Sequence, residues 1–375
     1  MKFHEIFRQQ VPIVNEYVYL NHAAISPTPL PVLYESLRYL LDISRFGSVP
    51  VNQEENDDFL HMREKVAKLI NASPNEISFI PNTSFGINVV AHGIDLKEGD
   101  EVITDNLEFP AVTYPFFKLA RKGVNVKLVK PKIESFEDDI LSAVTSKTRL
   151  IAISHVSFNT GVKVDLKRIS KEAKSVGAYT LVDVIQSAGA TKIDVKDSDI
   201  DFTVAGGYKW LMSPQGSGFM YVREGLLEDP PFYGWKSSST YLEFNAENFK
   251  LEKGPRRFEI GTIDVAANLA LAKACEILSQ HMEEIDSRVS ELSSFTIRYA
   301  KEKGFEIMTP EDKKAGIVII RVKEPKLIVN ELLKRKIVVS PRGVGIRIST
   351  HFYNTEEEVI RTIDGIKEIS NNLSY

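Results

Sequence analysis

A single lysine stands where the chain can bend and where water is scarce. Lys209 follows the pair Gly206-Gly207 and is flanked by Tyr208 and Trp210, after an apolar run from Asp201 to Val204. Lysine is ordinarily a solvated surface residue. Desolvation depresses its pKa and turns it into an amine nucleophile able to form a Schiff base with a carbonyl. Alone, the stretch also fits an ordinary surface lysine on a loop between strands. Asp183 closes another apolar run, Tyr179-Thr-Leu-Val-Asp. A carboxylate so placed needs a partner, and a cationic ring nitrogen, an inter-strand cation or a capped helix would each serve. Gln186, three residues on, is a candidate hydrogen-bonding partner for a ring substituent. In Phe79-Ile-Pro-Asn-Thr83-Ser84-Phe-Gly86 a strand gives way to a helix, with Thr83 or Ser84 expected as N-cap. Such a terminus binds phosphate through its amides and hydroxyls, or is simply capped.

These residues need a sheet to hold them. Apolar segments at Glu76–Ile80, Glu101–Thr104, Val124–Val129, Leu150–Val156, Tyr179–Val184 and Phe202–Ala205 alternate with helical patterns at Glu55–Ile70, Ser84–His92, Ala111–Arg121, Ser135–Val144 and Leu166–Val176. This alternation predicts an α/β fold with a mostly parallel sheet covered on both faces, whose ligands bind at the carboxyl ends of the strands. After about Gly261 the pattern changes to long helices (Asp264–His281, Glu284–Lys303), short strands and a last helix from Thr355. Two domains are expected: a large one over 20–262, and a smaller α+β one over 263–375 joined by residues 1–19.

Composition narrows the classes. The 375 residues carry 47 basic and 51 acidic side chains, for a net charge of −4, which leaves no electrostatic footprint for nucleic acid or an anionic membrane. A single cysteine, Cys275, excludes an intrachain disulfide and a multi-cysteine metal site. No metal is expected. No apolar run has the length of a membrane span, and the start MKFHEIFRQQ lacks a signal-peptide core, so a cytoplasmic protein is expected. Neither a Walker loop nor the glycine fingerprint of a dinucleotide fold is present.

The order of these motifs (phosphate-type turn, aspartate with glutamine, lysine on a glycine turn) resembles the class V group of fold-type I pyridoxal-phosphate enzymes. That group includes cysteine desulfurases, selenocysteine lyases and isopenicillin-N-epimerase-like proteins. The resemblance runs from Tyr19-Leu-Asn21-His-Ala-Ala to Ser349-Thr-His-Phe-Tyr-Asn-Thr-Glu-Glu. It implies pyridoxal 5'-phosphate linked to Lys209, which also moves the α-proton of an amino-acid substrate. It implies Asp183 on the pyridine nitrogen, Gln186 on the phenolic oxygen, Thr83 and Ser84 on the phosphate, and Phe109 stacked on the ring. His155, in a loop matching one beside the cofactor, is a candidate to orient Asp183 or the substrate. Thr262 lies in a segment resembling one lent to a neighbouring subunit's phosphate site, which implies a homodimer. Arg347 is the candidate clamp for a substrate carboxylate, with Arg342 second and Asn21 as a further substrate contact.

The chain also departs from the desulfurase pattern. The interval Ile337–Ile346 lacks the nucleophilic cysteine, and Cys275 reads as core in an Ala/Leu-rich helix. Persulfide chemistry therefore has no thiolate to accept sulfur. Gly206 stands for an expected phosphate-binding serine, Tyr208 for a histidine, and Phe109 for a proton-shuttling histidine. Reaction at the α-carbon through an external aldimine is expected, of the class V aminotransferase type. β-Elimination of the selenocysteine- or cysteine-lyase kind, epimerisation, and a degenerate scaffold that catalyses nothing are the alternatives.

Overall fold

The computed structural model describes residues 2–50 and 59–373. The chain starts with α1 (Phe3–Arg8) and a two-residue strand β1 (Val18–Tyr19), then α2 (Leu30–Phe46) and α3 (Leu60–Ile70). The expected part of α3 before Phe59 lies outside the described residues. The alternating region follows: β2 (Ile77–Phe79), α4 (Thr83–Gly93), β3 (Glu101–Asp105), α5 (Pro110–Ala120), β4 (Asn125–Val129), α6 (Phe136–Leu141), β5 (Thr148–Ser154), α7 (Leu166–Ser175), β6 (Tyr179–Asp183), β7 (Phe202–Gly206) and β8 (Gly218–Val222).

Seven of these strands form one sheet in the order β2-β8-β7-β6-β5-β3-β4. The inner pairings β4–β3, β3–β5, β5–β6 and β6–β7 are parallel, while β8 runs antiparallel between β7 and β2. Both faces are covered, so the central strands carry unbroken apolar runs such as Leu150-Ile-Ala-Ile153, all buried. The chain lays down β4 on one side of β3 and returns to place β5 on the other. Strand order therefore reverses between β3 and β5, which opens a crevice at their carboxyl ends. Gly86 presses α4 onto the sheet: a Cβ there would stand 2.7 Å from Val204 Cγ1 and 2.8 Å from Ile80 Cδ1.

Beyond the sheet come α8 (Val265–Gln280) and α9 (Met282–Glu302). The core formed by α8, with Leu269, Leu271, Cys275 and Leu278, is continuous with that of α3 and the large sheet. A second sheet, β11-β12-β9, is antiparallel and built from β9 (Ile317–Arg321), β11 (Ser340–Arg342) and β12 (Gly345–Ser349). Strand β10 (Ile337–Val338) pairs in parallel with β1. Three short strands lie between 337 and 349, and Gly343, at φ +52°, lets the chain reverse between β11 and β12. Helices α9, α10 (Pro325–Lys334) and α11 (Glu356–Asn372) supply Ile297, Ile328, Leu332, Val359 and Ile363 to a separate core around this sheet. Thr355 and Glu358 form a capping box that starts α11. No helix among the described residues is long and apolar enough to cross a membrane.

Candidate active site

A cleft with about 440 Å³ of empty space opens at the carboxyl ends of β5, β6 and β7. Its lining includes Thr83, Ser84, Phe109, Phe158, Asp183, Gln186 and Lys209. A larger cleft of about 1540 Å³ lies elsewhere, between Glu76, Glu224, Glu228, Lys253 and Arg257, and contains none of the strand-end residues. The smaller cleft is the candidate site because its groups are desolvated and converge.

Lys209 sits just beyond β7 on a loop fixed at several points. Gly207 N–H donates to Ser217 O at 2.8 Å, Ser213 N–H to Gly207 O at 2.9 Å, and Ser26 N–H to Tyr208 O at 2.9 Å. A Cβ on Gly207 would come within 2.6 Å of Ser217 Oγ, so the turn requires glycine. Burial pulls the Lys209 ammonium down to about 8, with Arg347 and Arg342 adding to the fall and Asp183 opposing it. Its Nζ stands 5.7 Å from the centroid of the Phe109 ring. That ring meets Phe158 edge-on, at 5.3 Å and 89°.

Asp183 ends β6 and is buried; its Oδ1 accepts from Ile185 N–H at 2.8 Å. Burial raises its carboxyl to about 6, against the opposing pull of that bond and of Lys209.

The expected N-cap at Thr83 or Ser84 is corrected: Asn82 caps α4, its side chain accepting from Phe85 N–H at 2.9 Å. Asn82 is a strong capping residue, and the pattern Asn-Thr-Ser leaves the choice among neighbours open. Thr83 Oγ1 instead accepts from Gly206 N–H at 2.9 Å, tying α4 to the lysine turn. Ser84 is exposed at the first turn, where helix amides lack intrahelical partners.

Gln186 reaches the cleft but is largely committed. Its Nε2 donates to Ala23 O at 3.0 Å, and its Oε1 accepts from Trp210 Nε1 at 2.9 Å. His155 lies behind the wall rather than on it. Its backbone N–H donates to Asp183 O at 2.9 Å, while its buried Nδ1 has no partner. Burial, and then Lys163, hold the imidazole neutral, down to about 3. Thr262 is exposed and away from this cleft within one chain. Asn21 bridges to Ser349, and its Oδ1 accepts from Ser340 Oγ at 2.8 Å, so it braces β11.

Arg347 is fully buried on β12. Its Nη1 donates to Phe158 O at 3.1 Å, and its Nε and Nη2 have no partner. Arg342 lies over the Phe158 ring at 5.9 Å, with its buried Nε also unpartnered. Cys275 is buried in α8, and burial pushes its thiol far up, so it supplies no thiolate.

Sequence reading missed Glu108. Its carboxylate accepts from the Ser154 N–H, and its Oε2 from Ser154 Oγ at 2.5 Å. Ser154 lines the cleft and pairs in register with Asp183. Burial lifts the Glu108 carboxyl well above the usual range, with Asp105 and Asp183 adding repulsion. Its position directly before Phe109 and Pro110, with Leu107 ahead, was the available signal that a loop glutamate turns inward.

A desolvated amine and a buried carboxyl stand on the same wall, beside a helix N-terminus and near guanidinium nitrogens without acceptors. The mostly parallel sheet with its smaller partner sheet is the α/β architecture of the fold-type I class. The class-V aminotransferase model matches residues 18–361, and the chain belongs to that family. It is 30% identical to a probable cysteine desulfurase of Methanothermobacter thermautotrophicus, over 98% of each chain. It is 27% identical to isopenicillin N epimerase of Amycolatopsis lactamdurans, over 97% of this chain and 98% of that one. Among solved structures, the apo form of a cysteine desulfurase from Thermococcus onnurineus superposes with a TM-score of 0.89 at 27% identity, covering 99% of each chain.

Proposed function

We propose that this protein transfers the amino group of an amino acid bearing a free α-carboxylate. The observation that carries the reading is the pairing, around one cleft, of a desolvated lysine amine with a buried guanidinium that has two unpartnered nitrogens. Bound pyridoxal phosphate supplies an electron sink for the charge left on the α-carbon when its proton departs. Lys209, with its pKa near 8, holds a usable fraction of free amine at neutral pH, and it takes and returns that proton. Asp183 would keep the ring nitrogen protonated. The first amides of α4 with the Ser84 and Thr83 side chains would hold the phosphate. Phe109 would cover the ring, and the remaining N–H of Gln186 would serve the phenolic oxygen. Arg347 takes the substrate carboxylate, with Arg342 beside it, while Asn21 acts indirectly by bracing β11 through Ser340.

Transfer is favoured over the reactions of the named relatives. Desulfuration lacks a thiolate, since the single cysteine is buried in α8. Epimerisation needs a second acid on the face opposite Lys209, and Phe109, whose ring meets Phe158 edge to face, has no proton to give. His155 stays neutral behind the wall. We further propose a homodimer in the cytoplasm. Helix α2 exposes Leu33, Tyr34, Leu37, Leu40 and Leu41, an apolar stripe suited to burial against a second copy, and Thr262 is free to complete the neighbour's site. A monomer in sedimentation of the cofactor-loaded protein would sink that part.

The deciding experiment is the visible spectrum of the protein with pyridoxal phosphate, alone and with a panel of L- and D-amino acids. A visible band that one amino acid bleaches, and that a 2-oxo acid restores, supports transfer. Release of ammonia with recovery of the band means elimination instead, and recovery without ammonia but with loss of optical purity means epimerisation. A band of wild-type intensity in Lys209→Ala would remove the lysine from its assigned role.

A further inference from the structure

Strand alternation puts both arginines on one face of the same hairpin. In the β11–β12 pairing Ser340 lies opposite Arg347, and Arg342 lies opposite Gly345. Residues directly opposite share a face, as do residues two apart on one strand. Ser340, Arg342 and Arg347 therefore point the same way, with the arginines at diagonal positions, about 7–8 Å apart at the backbone. Both engage one cleft residue: Arg347 donates to the Phe158 carbonyl, and Arg342 lies over the Phe158 ring. No carboxylate among the described residues pairs with either guanidinium. Three nitrogens, Arg347 Nε and Nη2 and Arg342 Nε, are buried without acceptors. Lys209 adds a third cation within electrostatic reach of both. One α-carboxylate satisfies one guanidinium fork and leaves the other uncompensated, which is costly in a desolvated site.

We propose that Arg342 is a specificity-determining residue, and that the arginine pair selects a substrate with two carboxylates: an acidic amino acid of the aspartate–glutamate class, or the corresponding 2-oxo diacid. Arg347 takes the carboxylate next to the reacting carbon, and Arg342 takes the one at the far end. This rests on the amino-transfer reading above. Gly345, opposite Arg342, is held to glycine by the adjoining strand β9, since a Cβ there would fall 2.6 Å from Ile320 O, and this leaves no side chain across from the arginine.

The test uses the cofactor-loaded protein and compares half-saturation and kcat/KM for L-aspartate, L-glutamate and L-alanine. The expected ratio of acidic over neutral substrate is about tenfold or more, the scale of one charge-assisted fork. Arg342→Met collapses that ratio, and Arg342→Lys, which keeps the charge without the fork, restores part of it. A second readout needs no turnover: succinate, which has two carboxylates and no amine, raises the thermal midpoint of the wild type but not of Arg342→Met. Should Arg342→Met fail to hold cofactor, Arg342→Lys against wild type carries the comparison. A wild type that prefers alanine, or an Arg342→Met that keeps the wild-type ratio with its cofactor band intact, overturns the assignment. If no amino acid alters the spectrum, the amino-transfer reading has failed instead, and the succinate shift still reports whether the arginine pair binds a diacid.

Discussion

Arg63 and Arg347 are both buried, at 2% and 0% exposure, yet the fold treats them in opposite ways. Arg63 on α3 makes a two-pronged pair with Glu259, Nη1 to Oε1 at 2.6 Å and Nη2 to Oε2 at 2.9 Å, and adds a bond to Ile77 O at 2.8 Å. Glu259 in turn accepts from Phe79 N–H at 2.7 Å. Helix α3, strand β2 and the segment around Phe258 are thereby clamped together. Arg347 has one carbonyl and two idle nitrogens. A buried charge that the chain itself neutralises supports the structure. A buried charge left open stores a cost that a ligand can relieve, and the difference separates a structural arginine from a recognition arginine.

Substitution tests this contrast directly, and the largest effect is expected at Arg63. Arg63→Met strands the Glu259 carboxylate in the interior and should cost about 3–5 kcal/mol of stability. Arg347→Met should leave the apo protein as stable as wild type or slightly more so, because it removes an unpaired buried cation, while half-saturation by any amino acid rises steeply. Urea unfolding of both apo variants makes the comparison. Equal losses at the two positions would mean that Arg347 is structural too.

Lys209 extends the contrast to a titrating group. Its pKa falls from 10.5 to about 8 on folding, equivalent to about 3 kcal/mol while the amine is protonated in both states. The folded state disfavours the ammonium, so the cost is full below the folded value and disappears as pH rises past the unfolded one. Lys209→Met should therefore gain stability over apo wild type at neutral pH and lose that advantage in strongly alkaline buffer, while its visible band with pyridoxal phosphate is absent. Unfolding midpoints on both sides of the window give the sign, and an advantage that grows with pH would contradict the desolvation of Lys209.

How much of this was legible beforehand follows the same division. Asp183 ends an apolar strand and Lys209 stands on the glycine turn just after another, and a strand pattern fixes where such ends lie. The start of α4 was legible from the strand before it, whereas Phe109 came only from the family resemblance. The actual employment of each polar group was not, because partners come from other parts of the chain. Gln186 spends its amide on Ala23 and Trp210, Thr83 accepts from Gly206, and Asn82 takes the capping role. His155 was matched by motif; it is buried, its backbone N–H donates to Asp183 O, and it is not among the residues that line the cleft. The idle nitrogens of Arg347 could not be read at all, since the absence of a partner is a property of the assembled fold.

Glu108 is the case where charge is neither paired nor open but shared, and its effect is expected to be the smallest. Its carboxyl accepts from Ser154 on both oxygens and lies against Asp105, whose Oδ1 accepts from Leu107 N–H and whose buried Oδ2 has no donor. Two carboxyls in contact hold together best with a proton between them. Burial raises Asp105 to about 6, and burial with Asp105's charge raises Glu108 well above its usual range. The folded state thus binds more protons than the unfolded one, so wild-type stability from this pair is present in acid and declines as pH rises through about 6. Glu108→Gln keeps an acceptor for Ser154 and offers amide hydrogens toward Asp105, so it should change stability by less than about 1 kcal/mol in weak acid. It should gain on wild type as pH rises toward neutrality, because the glutamine carries no carboxyl whose ionisation the fold opposes. Glu108→Ala leaves the Ser154 donors and Asp105 unmet and should lose about 1–3 kcal/mol at either pH. Thermal unfolding of the three proteins in weak acid and at neutrality separates these outcomes. A glutamine variant that falls with the alanine variant would show that Ser154 requires the negative charge, and that the proton resides on Asp105 alone.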